Sequence, residues 1–123
     1  MDVKRHVEAL DRIEDPSVRA AFIYLLVVSE RAGLKTSPNS GAVYAVRLHN
    51  ASGVYVFSYI ANRSDLLFYL RHPAIEAYPG LREAALASEF PFKENPAGEL
   101  TVKLDCQTAA SSLFDWLTSQ ATF

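Results

Sequence analysis

The feature that most constrains the fold of this chain is a change in the spacing of its apolar residues. In residues 3–13 they recur every three or four positions, whereas from residue 43 to residue 71 apolar side chains occupy alternate positions. A period near 3.6 is typical of a helix with one buried face, and a period of 2 is typical of a half-buried strand. The chain is therefore expected to begin with helices and to continue into a sheet.

Two helices are expected before this change. Residues 3–13 carry apolar side chains at helical spacing, which predicts an amphipathic first helix. Asp15 is a natural N-cap and Pro16 suits the first helical position, so a second helix is expected from there to Gly33. Its segment AAFIYLLVV is apolar on every side, which favours a central position between the sheet and the first helix.

Three strands and two polar turns are expected next. In chain order they read AVYAVRLH, NASG, VYVFSYIA, NRSD and LLFYLR. Short polar turns join antiparallel neighbours, so these strands should form a meander.

The remaining segments complete the predicted fold. They read as a short turn of helix, a longer helix from about Leu81, a fourth strand ELTVKL and a final helix from Asp105 or Thr108. The order α-α-β-β-β-α-β-α predicts a two-layer α+β fold, with helices packed mainly on one sheet face. No linker or repeat divides the chain, so a single domain over residues 1–123 is expected. The sequence does not indicate which strand of the meander the fourth strand pairs with.

The four-residue turns predict a register for the meander. If residues 50–53 form the first turn, Val46 faces Phe57, and if residues 62–65 form the second, Tyr59 faces Phe68. One face then holds only apolar and aromatic side chains: Tyr44, Val46, Leu48, Tyr55, Phe57, Tyr59, Leu66, Phe68 and Leu70. Such an aromatic stripe can stack nucleic-acid bases when it is exposed. Because the helices need an apolar sheet face to cover, we expect the aromatic stripe to belong to the hydrophobic core.

The opposite face is mixed and carries the candidate binding site. It collects Val43, Ala45, Arg47, His49, Val54, Val56, Ser58, Ile60, Leu67, Tyr69 and Arg71. The register places the backbones of Arg47 and Arg71 on either side of Val56, about 10 Å apart. Guanidinium groups that converge in this way suit a phosphate or a carboxylate. The proposed site consists of Arg47, His49, Val56, Ser58, Tyr69 and Arg71.

Several functions are compatible with this face. A half-apolar surface with an arginine rim is typical of a contact with another protein or with a second copy of the chain, and this is the leading interpretation. The first alternative is binding of an anionic small molecule or a nucleic acid by Arg47 and Arg71, assisted by Arg63. A second alternative is an enzyme that uses acid-base chemistry around His49, His72 and Tyr69. Both arginines are also compatible with a plain role as solvated residues paired with acids.

Net charge, the length of the apolar runs and the cysteine content limit the classes of partner and the cell compartment that are expected for this chain. The net charge of −2 gives no general attraction to nucleic acid or to an anionic membrane, which disfavours a nucleic-acid partner. The longest apolar run, residues 20–28, is too short to span a bilayer, and the acidic residues of EALDRIEDPS before it do not fit a signal peptide, so none is expected. The single Cys106 forms no internal disulfide, which suits the cytoplasm.

No established catalytic or cofactor motif is present in the sequence. Cys106 precedes the last helix, where a thiol can become nucleophilic, but it shares the strand parity of core residues and has no second cysteine. The histidines His6, His49 and His72 lack metal-site spacing. We therefore expect no metal and no cofactor, and we assign no catalytic residue.

Overall fold

Six antiparallel strands form one sheet, accompanied by five helices, in the computed structural model, which describes residues 3–39 and 41–123. The α+β class and the packing of helices on the sheet are as predicted. In chain order the elements are α1 (Val3–Arg12), α2 (Pro16–Arg31), β1 (Lys35–Pro38), β2 (Ala45–His49), β3 (Tyr55–Ala61), β4 (Leu66–Leu70), α3 (His72–Ala77), α4 (Leu81–Ala87), β5 (Lys93–Glu94), β6 (Leu100–Leu104) and α5 (Gln107–Gln120).

The strand order is β1-β2-β3-β4-β6-β5, so the predicted fourth strand is β6 and it pairs with β4. The two edge strands, β1 and β5, are not predicted by the sequence pattern. The four residues of β1, KTSP, have the composition of a loop, and Pro38 is tolerated because an edge strand needs donors on one side only. Only two residues form β5, too few to show a period.

Local signals set the ends of α2 as predicted. The Asp15 carboxylate accepts a hydrogen bond of 2.8 Å from the Ser17 backbone N–H, and Pro16 begins the helix. Gly33, just past the end, has φ +89°, which favours glycine. The predicted central position of α2 is wrong, because Ile23 and Val27 remain 49% and 43% exposed. Instead, α2 packs beside α5, and α1 contacts β3 directly.

The register of the second hairpin is confirmed, with Tyr59 opposite Phe68. The first hairpin is shifted by two residues, so Val46 faces Tyr59 rather than Phe57. One residue of the shift arises at the turn, where the Asn50 N–H donates a 3.0 Å hydrogen bond to the Val54 carbonyl, and the other arises from a change of register between Leu48 and His49. A shift by an even number of residues leaves side chains on their original faces along the regular part of the strands.

The aromatic stripe lies in the core. Phe57, Tyr59 and Phe68 are fully buried, so the interpretation of these residues as an exposed stacking platform is wrong. The ring of Phe22 on α2 meets the Tyr59 ring edge-to-face, with 5.5 Å between centroids. Tyr44 is only half-buried, beneath the guanidinium of Arg5.

In the part of the chain that is described, no helix is long and apolar enough to cross a bilayer.

Candidate functional site

The sheet face opposite the helices presents a continuous line of polar side chains. Cross-strand pairing places six residues next to one another, one from each strand, in the order Ser37, Arg47, Ser58, Tyr69, Thr101 and Lys93. We call this line the polar row. Each member carries a hydroxyl or a positive charge, and none is a carboxylate.

A cleft of about 230 Å³ opens over the middle of this face. Arg47, Ser58, Tyr69 and Arg71 line it, and the structure thus brings together four of the six residues proposed from sequence. The other lining residues are Asn39, Val43, Ala45, Tyr55 and Ile60. We call this depression the arginine cleft.

Val56 and Tyr55 differ from their predicted places. Leu48 pairs with Phe57 whereas His49 pairs with Tyr55, so Val56 is the extra residue of a β-bulge. Val56 is fully buried in the core and does not line the cleft, and Tyr55 lines it instead. The bulge interrupts the alternation on which the prediction depended. His49 is half-buried outside the cleft, with its ring centroid 5.3 Å from that of Tyr55.

Two arginines converge on the ring of Tyr55. The Cζ atom of Arg47 lies 5.6 Å from the ring centroid and that of Arg71 lies 5.2 Å from it. Arg71 also lies 5.0 Å from the centroid of the Tyr69 ring. Aromatic rings attract guanidinium groups, so tyrosines placed in this way help to hold two like charges in one cleft.

The two arginines differ in how their charges are balanced. Arg71 is ion-paired, with its Nε atom 3.1 Å from Oε2 of Glu99, a carboxylate that also accepts from the His72 backbone N–H at 3.3 Å. Arg47 donates from Nη2 to the side-chain oxygen of Asn39 at 2.9 Å. No carboxylate of residues 3–39 or 41–123 lies within ion-pair distance of Arg47. The cleft therefore keeps a positive charge.

A second depression, of about 220 Å³, adjoins the arginine cleft on the same face. Its lining includes Lys93 and Lys103, together with Leu67, Pro91, Thr101 and Val102. We call it the lysine groove. Tyr69 of the arginine cleft pairs directly with Thr101 of the groove, so the two depressions are neighbours across a single strand spacing.

The other candidates from the sequence lie outside both depressions. His72 is exposed, with Nδ1 3.2 Å from a carboxylate oxygen of Glu76, so the cleft contains Tyr69 but neither histidine of the acid-base hypothesis. Arg63 is exposed in the turn between β3 and β4, 4.0 Å from Glu14. Cys106 is the N-cap of α5, and its sulfur accepts from the Ala109 N–H at 3.4 Å.

Neither a metal cluster nor a similarity to known proteins indicates a chemistry for this face. Among the residues that the structure describes, no group of three or more His, Cys, Asp or Glu side chains is arranged to hold a metal ion. The chain has no significant match among protein-family models, curated proteins or solved structures.

Proposed function

We propose that this protein is a binding domain that takes an anionic group, a phosphate or a carboxylate, into the arginine cleft. The observation that supports this most strongly is the convergence of Arg47 and Arg71 on the Tyr55 ring, where Arg71 alone is paired with an acid among the residues that the structure describes. An anion in the cleft would supply a counter-charge to Arg47.

The donors in the cleft suit such a ligand. Among described atoms, Arg71 makes its ion pair through Nε, which leaves its two terminal nitrogens available to an incoming oxygen. Arg47 and the hydroxyl of Tyr69 lie along the same depression. Planar guanidinium groups bind phosphate and carboxylate through paired hydrogen bonds, so two arginines can hold one anion from two sides.

A contact with another protein through the same face is the second candidate. Among the residues that the structure describes, none of those lining the two depressions of this face belongs to a helix, and Ala45, Ile60 and Leu67 form a half-buried apolar line beside the polar row. The positive charge of Arg47 favours a partner whose surface is acidic. Two copies facing each other would oppose like charges, so a second copy fits less well than an acidic protein.

Binding of pyrophosphate and of citrate, measured by calorimetry at low salt, tests the leading proposal. The Arg47→Gln variant is expected to bind about 10- to 100-fold more weakly, because a hydrogen bond to a charged group contributes about 1.5–3 kcal/mol. Arg31→Gln removes an exposed charge at the end of α2 and serves as the matched control. The proposal fails if neither anion binds, or if the two variants bind equally well.

Light scattering tests the alternative of self-association. The monomer has a mass of 13.6 kDa. Twice that mass, lost in the Leu67→Glu variant, would favour a contact between copies through this face. A monomeric mass at tens of micromolar would contradict it.

A further inference from the structure

The polar row connects the arginine cleft with the lysine groove. Ser58 and Tyr69 belong to the cleft, whereas the next two members, Thr101 and Lys93, belong to the groove. Arg47 and Lys93 are four strand spacings apart, about 19 Å across the sheet. A single phosphate or carboxylate would occupy one depression and leave the other empty.

Positive charge is concentrated on this sheet face, although the chain as a whole has a net charge of −2. Within the strands that the structure describes, the positions on this face include four cations and no carboxylate: Lys35, Arg47, Lys93 and Lys103. Two carboxylates flank β6: Glu99 is already paired with Arg71, and Asp105 follows the strand at an exposed position beyond Lys103. Because salt screens charges beyond about 8–10 Å, such a local surplus governs binding more than the net charge does. The complementary partner is negatively charged along its length.

Aromatic rings accompany these cations. Tyr55 and Tyr69 are half-buried in the arginine cleft, beside Arg71. Bases of single-stranded nucleic acids stack on aromatic rings and on guanidinium planes, and their phosphates bind cations along an open sheet face. An acidic peptide would use the cations but not the rings, and extended peptides add to a sheet at its edge rather than on its face.

We infer that a single-stranded nucleic acid crosses this face from the arginine cleft to the lysine groove. The inference rests on the proposed function, since the arginine cleft holds one phosphate of the strand. Lys93 and Lys103 bind further phosphates, and Tyr55 and Tyr69 offer surfaces to bases. The strand therefore has to be several nucleotides long to reach both depressions.

Fluorescence anisotropy with a labelled thymidine trimer and decamer tests this inference on the full chain. The decamer is expected to bind at least tenfold more tightly than the trimer. The Lys93→Gln/Lys103→Gln variant should lose that gain, and its slope of log affinity against log salt should fall by about 1.4, at about 0.7 per phosphate contact. Lys4→Gln/Arg31→Gln, which removes the same charge from exposed helical positions, is the control and should bind as the parent does.

The outcomes separate this inference from the proposed function. The inference is overturned if the decamer binds no better than the trimer, or if the two double variants behave alike, while pyrophosphate binding that depends on Arg47 would leave the proposed function in place. A decamer of glutamate that binds as tightly as the thymidine decamer would overturn it in favour of an acidic protein. If neither pyrophosphate nor the thymidine decamer binds the parent chain, both proposals fail.

Discussion

Arg71 and Glu99 form an ion pair at the edge of the arginine cleft, with 3.1 Å between Nε and Oε2. The Glu99 side chain is 12% exposed and that of Arg71 29%, so water screens this pair only in part. The pair orients Arg71 over the rings of Tyr55 and Tyr69. It also cancels much of the positive charge that Arg71 would otherwise offer to an anion.

The Glu99→Gln variant is expected to bind pyrophosphate about three- to tenfold more tightly than the parent. Glutamine keeps an oxygen that accepts from Arg71 and from the His72 N–H, although it loses the 3.3 Å hydrogen bond that Asn95 Nδ2 donates to Oε1. It removes the negative charge that repels a bound anion, an effect of about 1 kcal/mol. Calorimetry at low salt measures it. Glu94→Gln, whose parent carboxylate pairs with Arg82 instead, is the control and should leave the affinity unchanged. Weaker binding by Glu99→Gln would mean that the carboxylate matters more for the orientation of Arg71 than for its charge.

The Phe123→Ala variant is expected to lower the free energy of unfolding by about 1–3 kcal/mol. The Phe123 ring is half-buried beyond α5, and its centroid lies 5.4 Å from that of Phe57 and 6.2 Å from that of Tyr78. Urea denaturation measures the change. Leu86→Ala removes a side chain that is 54% exposed and should change stability by less than about 0.5 kcal/mol. Equal effects of the two substitutions would show that Phe123 does not belong to the core.

Tyr59 should make the protein less stable at alkaline pH. Burial raises the pKa of its hydroxyl well above the usual range, and the negative charge of Glu30 adds to the rise. Above the unfolded-state pKa of about 10 the unfolded chain releases this proton while the folded chain retains it. The stability contribution is therefore fully present below about pH 10 and is lost as the pH rises, by at most about 1.4 kcal/mol per pH unit.

Urea denaturation at about pH 9 and pH 11 tests this effect. The Tyr59→Phe variant should lose less stability between the two pH values than the parent does. It should also fold at pH 9, because the hydroxyl makes only a 3.5 Å contact with the Phe22 carbonyl. Tyr44→Phe, at a half-buried position, is the control. A Tyr59→Phe variant with the same pH dependence as the parent would exclude Tyr59 as the source.

Residues in regular segments could be placed from the sequence. Alternation assigns Phe57, Tyr59 and Phe68 to the core, and the structure buries all three. The same alternation puts Arg47 and Tyr69 on the opposite face, where both line one cleft. These assignments hold because successive side chains of a strand point to opposite sides, a property of the backbone itself.

The bulge and the edge strands could not be placed in this way. Nothing in NASG or in VYVFSYIA indicates that Val56 lacks a partner on β2, so alternation predicts Tyr55 in the core and Val56 on the open face. The pairing of β1 along β2 brings Asn39 within reach of Arg47, although KTSPN reads as a loop. Both features depend on hydrogen bonds between segments. The pattern of residues within one segment does not show which other segment it pairs with, or in which register.

The sequence by itself determined the α+β class, the limits of α2 and the two faces of the central strands, because these follow from local periods and capping residues. Only the tertiary structure decided that β6 lies beside β4, which brings Glu99 to Arg71 and Lys103 to Leu67. It also decided that a bulge turns Tyr55 toward Arg47 and Arg71. The physical reason is that these contacts join residues far apart in the chain, and the balance of pairing and packing across the whole sheet selects them.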